Sequence, residues 1–105
     1  IRGLDNLINL KEMILTANKI TEIKGLDNLI NLQYLRITNN QITEIKGLTS
    51  LKSLEFLFLE GNEIREIDLK AVESLPKLKT LVLSKNPLSY DSVKIIGSTD
   101  FKICY

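Results

Sequence analysis

One frame, L-x-x-L-x-L-x-x-N-x-I, recurs four times along the chain, with Met13 and Leu88 as its two departures, and no other feature limits the possible folds so tightly. A full copy is Leu32-Gln33-Tyr34-Leu35-Arg36-Ile37-Thr38-Asn39-Asn40-Gln41-Ile42. Asn18, Asn40 and Asn62 fall 22 residues apart, and Asn86 follows after 24. A fixed period of about 20–29 residues means a solenoid: one coil cannot bury its own apolar set, so at least about three must stack. The repeats span residues 1–22, 23–44, 45–66 and 67–88, with 89–105 as a terminal cap, within one domain of 105 residues. Residues 3–10 and 25–32 are identical, which marks a recent duplication. Because the chain opens at Ile1 in mid-repeat, it reads as a processed form or as part of something longer.

Each coil carries two spacings. At Met13-Leu15, Leu35-Ile37, Leu57-Leu59 and Leu81-Leu83 the apolar residues alternate, as in a short strand with one face inward. On the return path they come every third residue, as in Ile23, Leu26, Leu29 and Leu32, which suits a 3₁₀ turn or an extended arc. Stacked coils then pair equivalent strands in parallel, about 4.8 Å apart, and share one leucine core. The fourth coil has two extra residues, and the Ala-Val-Glu run at 71–73 predicts a fuller helical turn, stopped by Pro76. Ser89 predicts an N-cap for a helix through Ile96 with Gly97 as its stop, followed by strand-like alternation at Phe101, Ile103 and Tyr105. These segments form a lid over the last coil. No lid covers the first, so Leu4, Leu7, Leu10 and Met13 are expected to stay partly open, an edge that favours self-association.

The residues alternating with the leucines point out of the sheet. By coil they are Glu12, Ile14 and Thr16; Tyr34, Arg36 and Thr38; Phe56, Phe58 and Glu60; Thr80, Val82 and Ser84. Ile14, Tyr34, Phe56, Phe58 and Val82 make an apolar and aromatic strip flanked by Arg36, Glu12, Glu55 and Glu60. Large β-formers suit strands in any case. Yet two of three phenylalanines fall on this small face, and aromatics with arginine are the usual carriers of interface energy. Ile14, Tyr34, Arg36, Phe56, Phe58, Glu60 and Val82 are therefore the candidate partner-binding residues, with Arg36 and Glu60 fixing orientation at the rim. Four strands offer on the order of 300 Å², against about 800 Å² per partner in a standard interface. The strip by itself suits a peptide or a weak contact.

The asparagines read as structural, bonding backbone groups where the chain leaves each strand. The mixed charges at Lys19, Glu22, Lys24, Glu44, Lys46, Glu63, Arg65 and Glu66 read as a solvated outer face. With no histidine and a single cysteine, Cys104, the chain has no nucleophile–base pair and no metal-ligand set, so it is not expected to be an enzyme or to hold a metal or cofactor. Gly25 and Gly47 lie in no phosphate-cradling run. A net charge of +1 argues against nucleic acid, and no apolar run nears the about 20 residues of a membrane span. Cys104 forms no intramolecular disulfide and reads as a small packing residue; this suits a reducing, cytoplasmic compartment, although many secreted bacterial proteins also lack cystines.

The frame resembles the leucine-rich repeat, and the 22-residue length with the I-x-G-L-x-x-L-x-x-L return segment is similar to the subclass shared by a protein phosphatase-1 regulatory subunit and the bacterial internalins. The match runs from Ile1 to Leu88. The resemblance implies an α/β solenoid with a short parallel concave sheet, a 3₁₀ or extended convex side and a C-terminal helical cap. It also implies a concave face that binds proteins or peptides, with phosphatase regulation and bacterial surface adhesion as two uses of such a face.

Overall fold

The computed structural model describes residues 7–94 and 101–105. Alternation around the leucine rungs forms five strands of three residues: β1 (Glu12–Ile14), β2 (Tyr34–Arg36), β3 (Phe56–Phe58), β4 (Thr80–Val82) and β5 (Lys102–Cys104). They lie in chain order in one sheet, and every neighbouring pair is parallel. The register aligns Met13, Leu35, Leu57, Leu81 and Ile103 along one inward line. Each strand starts one residue before its expected centre, because the ladder opens there: the Tyr34 and Phe56 N–H groups donate to Lys11 and Gln33 at 3.0 Å. At the far end it runs on to Leu15, whose N–H donates to Arg36 at 2.8 Å.

The return path is a run of tight turns. Leu29 donates to Leu26 at 3.0 Å and Leu32 to Leu29 at 3.1 Å, and the third coil repeats this at Leu51 and Leu54. Bonds spanning three residues bring side chains at i and i+3 over one another, which buries Ile23, Leu26, Leu29 and Leu32 together. On the convex side the Lys46 ammonium lies 3.6 Å from Glu22 and 3.7 Å from Glu44, linking two coils across solvent.

Two backbone positions explain how the coils turn. Gly47 has φ +76°, and a Cβ there would press on the Ile23 carbonyl of the coil before. In the fourth coil Leu69 stands where Gly25 and Gly47 stood, and leucine disfavours that left-handed conformation. The chain instead enters helix α1 (Leu69–Glu73), capped by Asp68, whose carboxylate accepts from the Lys70 and Ala71 amides. The helix ends at Ser74, before Pro76 and the residue that precedes it. The second position follows each of β1 to β4: Ala17, Asn39, Gly61 and Lys85 all have φ between 56° and 70°.

The asparagine after that turn ties coils together. Asn62 Nδ2 donates to Ile37 of the previous coil at 2.8 Å and to Leu59 of its own at 3.0 Å, while Oδ1 accepts from Ile42 at 3.1 Å. Asn40 and Asn86 repeat the arrangement. Asn18 differs, keeping one bond among the described residues, to Thr16 at 3.2 Å.

Two parts of the expected lid lie among the described residues, a short helix and β5. Ser89 caps helix α2 (Tyr90–Lys94), its Oγ accepting from the Ser92 amide at 3.2 Å. The predicted end of that helix at Ile96 and Gly97 lies outside the described residues. Phe101 and Ile103 pack on the core, and Leu81 and Leu83 are buried beneath the lid. At the first coil Leu7 is exposed and Leu10 half-buried, as predicted; Leu4 lies outside the described residues. Met13 departs from expectation and is buried, since β2 pairs with β1 and Leu35 lies beside it in register.

Candidate protein-binding face

Parallel register arranges the outward side chains in rows. One row is Glu12, Tyr34, Phe56, Thr80 and Lys102; the next is Ile14, Arg36, Phe58, Val82 and Cys104. A third, two residues further along each strand, holds Thr16, Thr38, Glu60 and Ser84, and the Thr38 hydroxyl donates to that of Thr16 at 3.4 Å.

Four of the seven candidate residues touch one another. The Tyr34 ring lies 5.0 Å from Phe58 and 6.4 Å from Phe56, centroid to centroid, in tilted geometry. The Arg36 guanidinium lies 4.6 Å from the Phe58 centroid and donates to the Tyr34 hydroxyl from Nε at 3.2 Å and from Nη2 at 2.8 Å. Such a cation over a ring is stabilised by the ring quadrupole, and the two hydrogen bonds hold its plane in place. Ile14 and Val82 flank the cluster in register with Arg36 and Phe58; Ile14 is exposed and Val82 half-buried. The face is thus a preformed aromatic and guanidinium surface between aliphatic ends.

Glu60 stands apart. It is half-buried in the third row and forms no ion pair with Arg36 among the described residues, whose guanidinium turns to Tyr34 instead. Glu55, expected on the flank, is held by Lys79 of the next coil at 2.7 Å. Thr38, expected on display, is buried. Sequence reasoning had placed Cys104 in packing; it lies instead half-buried on the open face beside Val82, because β5 continues the register and widens the face by one strand. Ile8 and Ile30, both about half exposed on the return path, also went unremarked; their identical LINL settings were the available signal.

Among the described residues no three His, Cys, Asp or Glu side chains gather to hold a metal. No helix of the described residues is long and apolar enough to cross a membrane.

The family model for leucine-rich repeats matches residues 8–64 and again 30–88. Internalin C2 from Listeria monocytogenes superposes with a TM-score of 0.78 at 35% identity, over 97% of this chain and 44% of that one. The Leptospira interrogans leucine-rich repeat protein LIC12759 gives 0.79 at 31% identity, over 91% and 25%. A chain of the Drosophila melanogaster SNF/U2A′ complex gives 0.76 at 25%, over 89% and 55%. No curated protein matches by sequence. The chain therefore spans about half or less of the first two structures it resembles, and with the repeat frame, the parallel rungs and the family match all agreeing, it belongs to the leucine-rich repeat family.

Proposed function

We propose that the chain is a non-catalytic module that binds a protein or peptide through the open, concave face of its sheet. Leucine-rich repeat proteins are in general interaction modules without catalytic activity, and one structural relative comes from a protein complex. The observation that carries the reading is the Tyr34–Phe56–Phe58 cluster with Arg36 stacked on it. Large rings whose posture is already set bind with little further loss of freedom. The 22-residue spacing of Asn18, Asn40 and Asn62 supports the subclass shared by the protein phosphatase-1 regulatory subunit and the bacterial internalins. The test is capture of partners by the wild type and by Tyr34→Ala and Phe58→Ala. Both variants are expected to keep their fold and lose the partner; retained capture by a folded double variant would remove the face from consideration.

A second reading, self-association through the first coil, is supported by the exposure of Leu7, Ile8 and Ile14, at 43%, 50% and 54%. Light scattering over a concentration series tests it, and a mass fixed at one chain would exclude it.

A further inference from the structure

We propose that this face recognises one carboxylate side chain, an aspartate or glutamate two positions from an apolar residue in an extended peptide, at the outer edge of Arg36. The inference rests on the reading of the concave face as the binding surface, and deepens it. A guanidinium offers five N–H donors in one plane, and a carboxylate can engage two of them along the Nε–Nη2 side or along the Nη1–Nη2 end. Here Nε and Nη2 both donate to the Tyr34 hydroxyl, so that side is taken. The end edge, with both Nη1 hydrogens and the second on Nη2, has no acceptor among the described residues. The neighbours of Arg36 in register, Ile14 and Phe58, are apolar and supply none.

Posture adds to the case. Stacking on Phe58 at 4.6 Å and the double bond to Tyr34 hold the fork before any ligand arrives, so little side-chain freedom is left to lose. The Tyr34 hydroxyl accepts both bonds and keeps its own hydrogen to donate, a further contact for an anion beside Arg36.

Charge on the same face limits the anion. Glu12 and Glu60 share the surface with Arg36, so a phosphate dianion or a run of acids would meet more repulsion there than a single carboxylate does. A C-terminal carboxylate is disfavoured for another reason. Its capture uses a nest of free backbone amides, and the amides around Arg36 are committed to the sheet: Ile37 donates to Phe58 and Leu15 to Arg36, each at 2.8 Å. In an extended peptide, side chains two apart lie about 6.7 Å from one another, between one and two strand spacings. An apolar side chain two positions from the acid therefore falls near Ile14 or Val82.

The probe is a display library of random linear peptides, selected on the wild type and counter-selected on the folded Tyr34→Ala/Phe58→Ala variant, so that survivors depend on the face. Survivors are expected to share one acid with an apolar residue two positions away. Changing that acid to its amide should weaken binding about tenfold or more. Arg36→Lys, which keeps the charge but loses the fork, should weaken the acidic peptide comparably and leave the amide peptide unchanged; a thermal melt of that variant establishes that it is folded. Face-dependent survivors indifferent to the amide exchange would overturn the carboxylate assignment and leave the concave-face reading standing. Survivors that require a free C-terminus would also overturn it. A selection yielding no peptide dependent on Tyr34 and Phe58 would overturn both.

Discussion

The side-chain amide of Asn62 donates across the coil boundary to the carbonyl of Ile37 at 2.8 Å, and that carbonyl belongs to the coil before. Asn62 is buried and makes four hydrogen bonds, donating to Ile37, Leu59 and Glu60 and accepting from Ile42, so its loss leaves backbone groups of two coils unpaired in the interior. Asn62→Ala is expected to cost about 2–3 kcal/mol. Asn18→Ala, which removes one exposed bond, should cost no more than about 0.5 kcal/mol. Urea titration of the two variants measures the contrast, and equal losses would mean the amides do not join the coils.

Gly47 makes the opposite kind of contribution, by what it lacks. Its φ of +76° and the Ile23 carbonyl packed where a side chain would go leave no room for alanine. Gly47→Ala is expected to destabilise by at least about 2 kcal/mol, combining the left-handed penalty with a backbone shift. Thermal unfolding tests this directly.

Ala17 presents the reverse case, an ordinary residue at φ 56°. A side chain there costs about 1–2 kcal/mol, and glycine gives back about 0.5–1 kcal/mol of that through chain entropy. Ala17→Gly should thus gain about 0.5–1 kcal/mol and raise the midpoint by a few degrees. A lowered midpoint would mean that the turn does not need the left-handed conformation.

These two positions also show where sequence reasoning reached and where it stopped. The rungs were legible because leucines two apart with polar or aromatic neighbours admit few arrangements, and Asn40 and Asn62 were legible as structural because the repeat put them at one point of each coil. The left-handed turn was hidden, since Ala17, Asn39 and Lys85 carry no glycine signal there. The rows of the open face followed from alternation. The contacts of Arg36 did not: Phe58 lies across from it in register and the Tyr34 hydroxyl is two residues away on the same face. Cys104 lies off the core because β5 continues the parallel register with Ile103 inward, a placement that the alternation of Phe101, Ile103 and Tyr105 already carried but the packing expectation for a lone cysteine overrode.

Ser92 joins the cap to the fourth coil. Its buried hydroxyl accepts from the Ile67 amide at 2.9 Å and donates to Glu66 at 3.0 Å. Ser92→Ala leaves the Ile67 amide without an acceptor and is expected to cost about 1–2 kcal/mol. Hydrogen exchange localises the effect: amides of the fourth coil and β5 should lose protection while those of β2 keep theirs. Uniform loss would mean that the cap and the repeats open as one unit.

The facing of the sheet can be tested within one strand. Leu57 and Phe58 are adjacent in β3, yet the leucine is fully buried and the phenylalanine half-buried on the open face. Leu57→Ala empties a site closed on all sides by neighbouring rungs and is expected to cost about 3–4 kcal/mol. Phe58→Ala removes a ring whose contacts are Tyr34 and the Arg36 guanidinium, both already partly in water. Its cost should be about 1 kcal/mol, despite the larger side chain deleted. Chemical denaturation of both variants gives the order. A Phe58→Ala loss matching that of Leu57→Ala would place the ring in the core and remove the surface on which Arg36 is held.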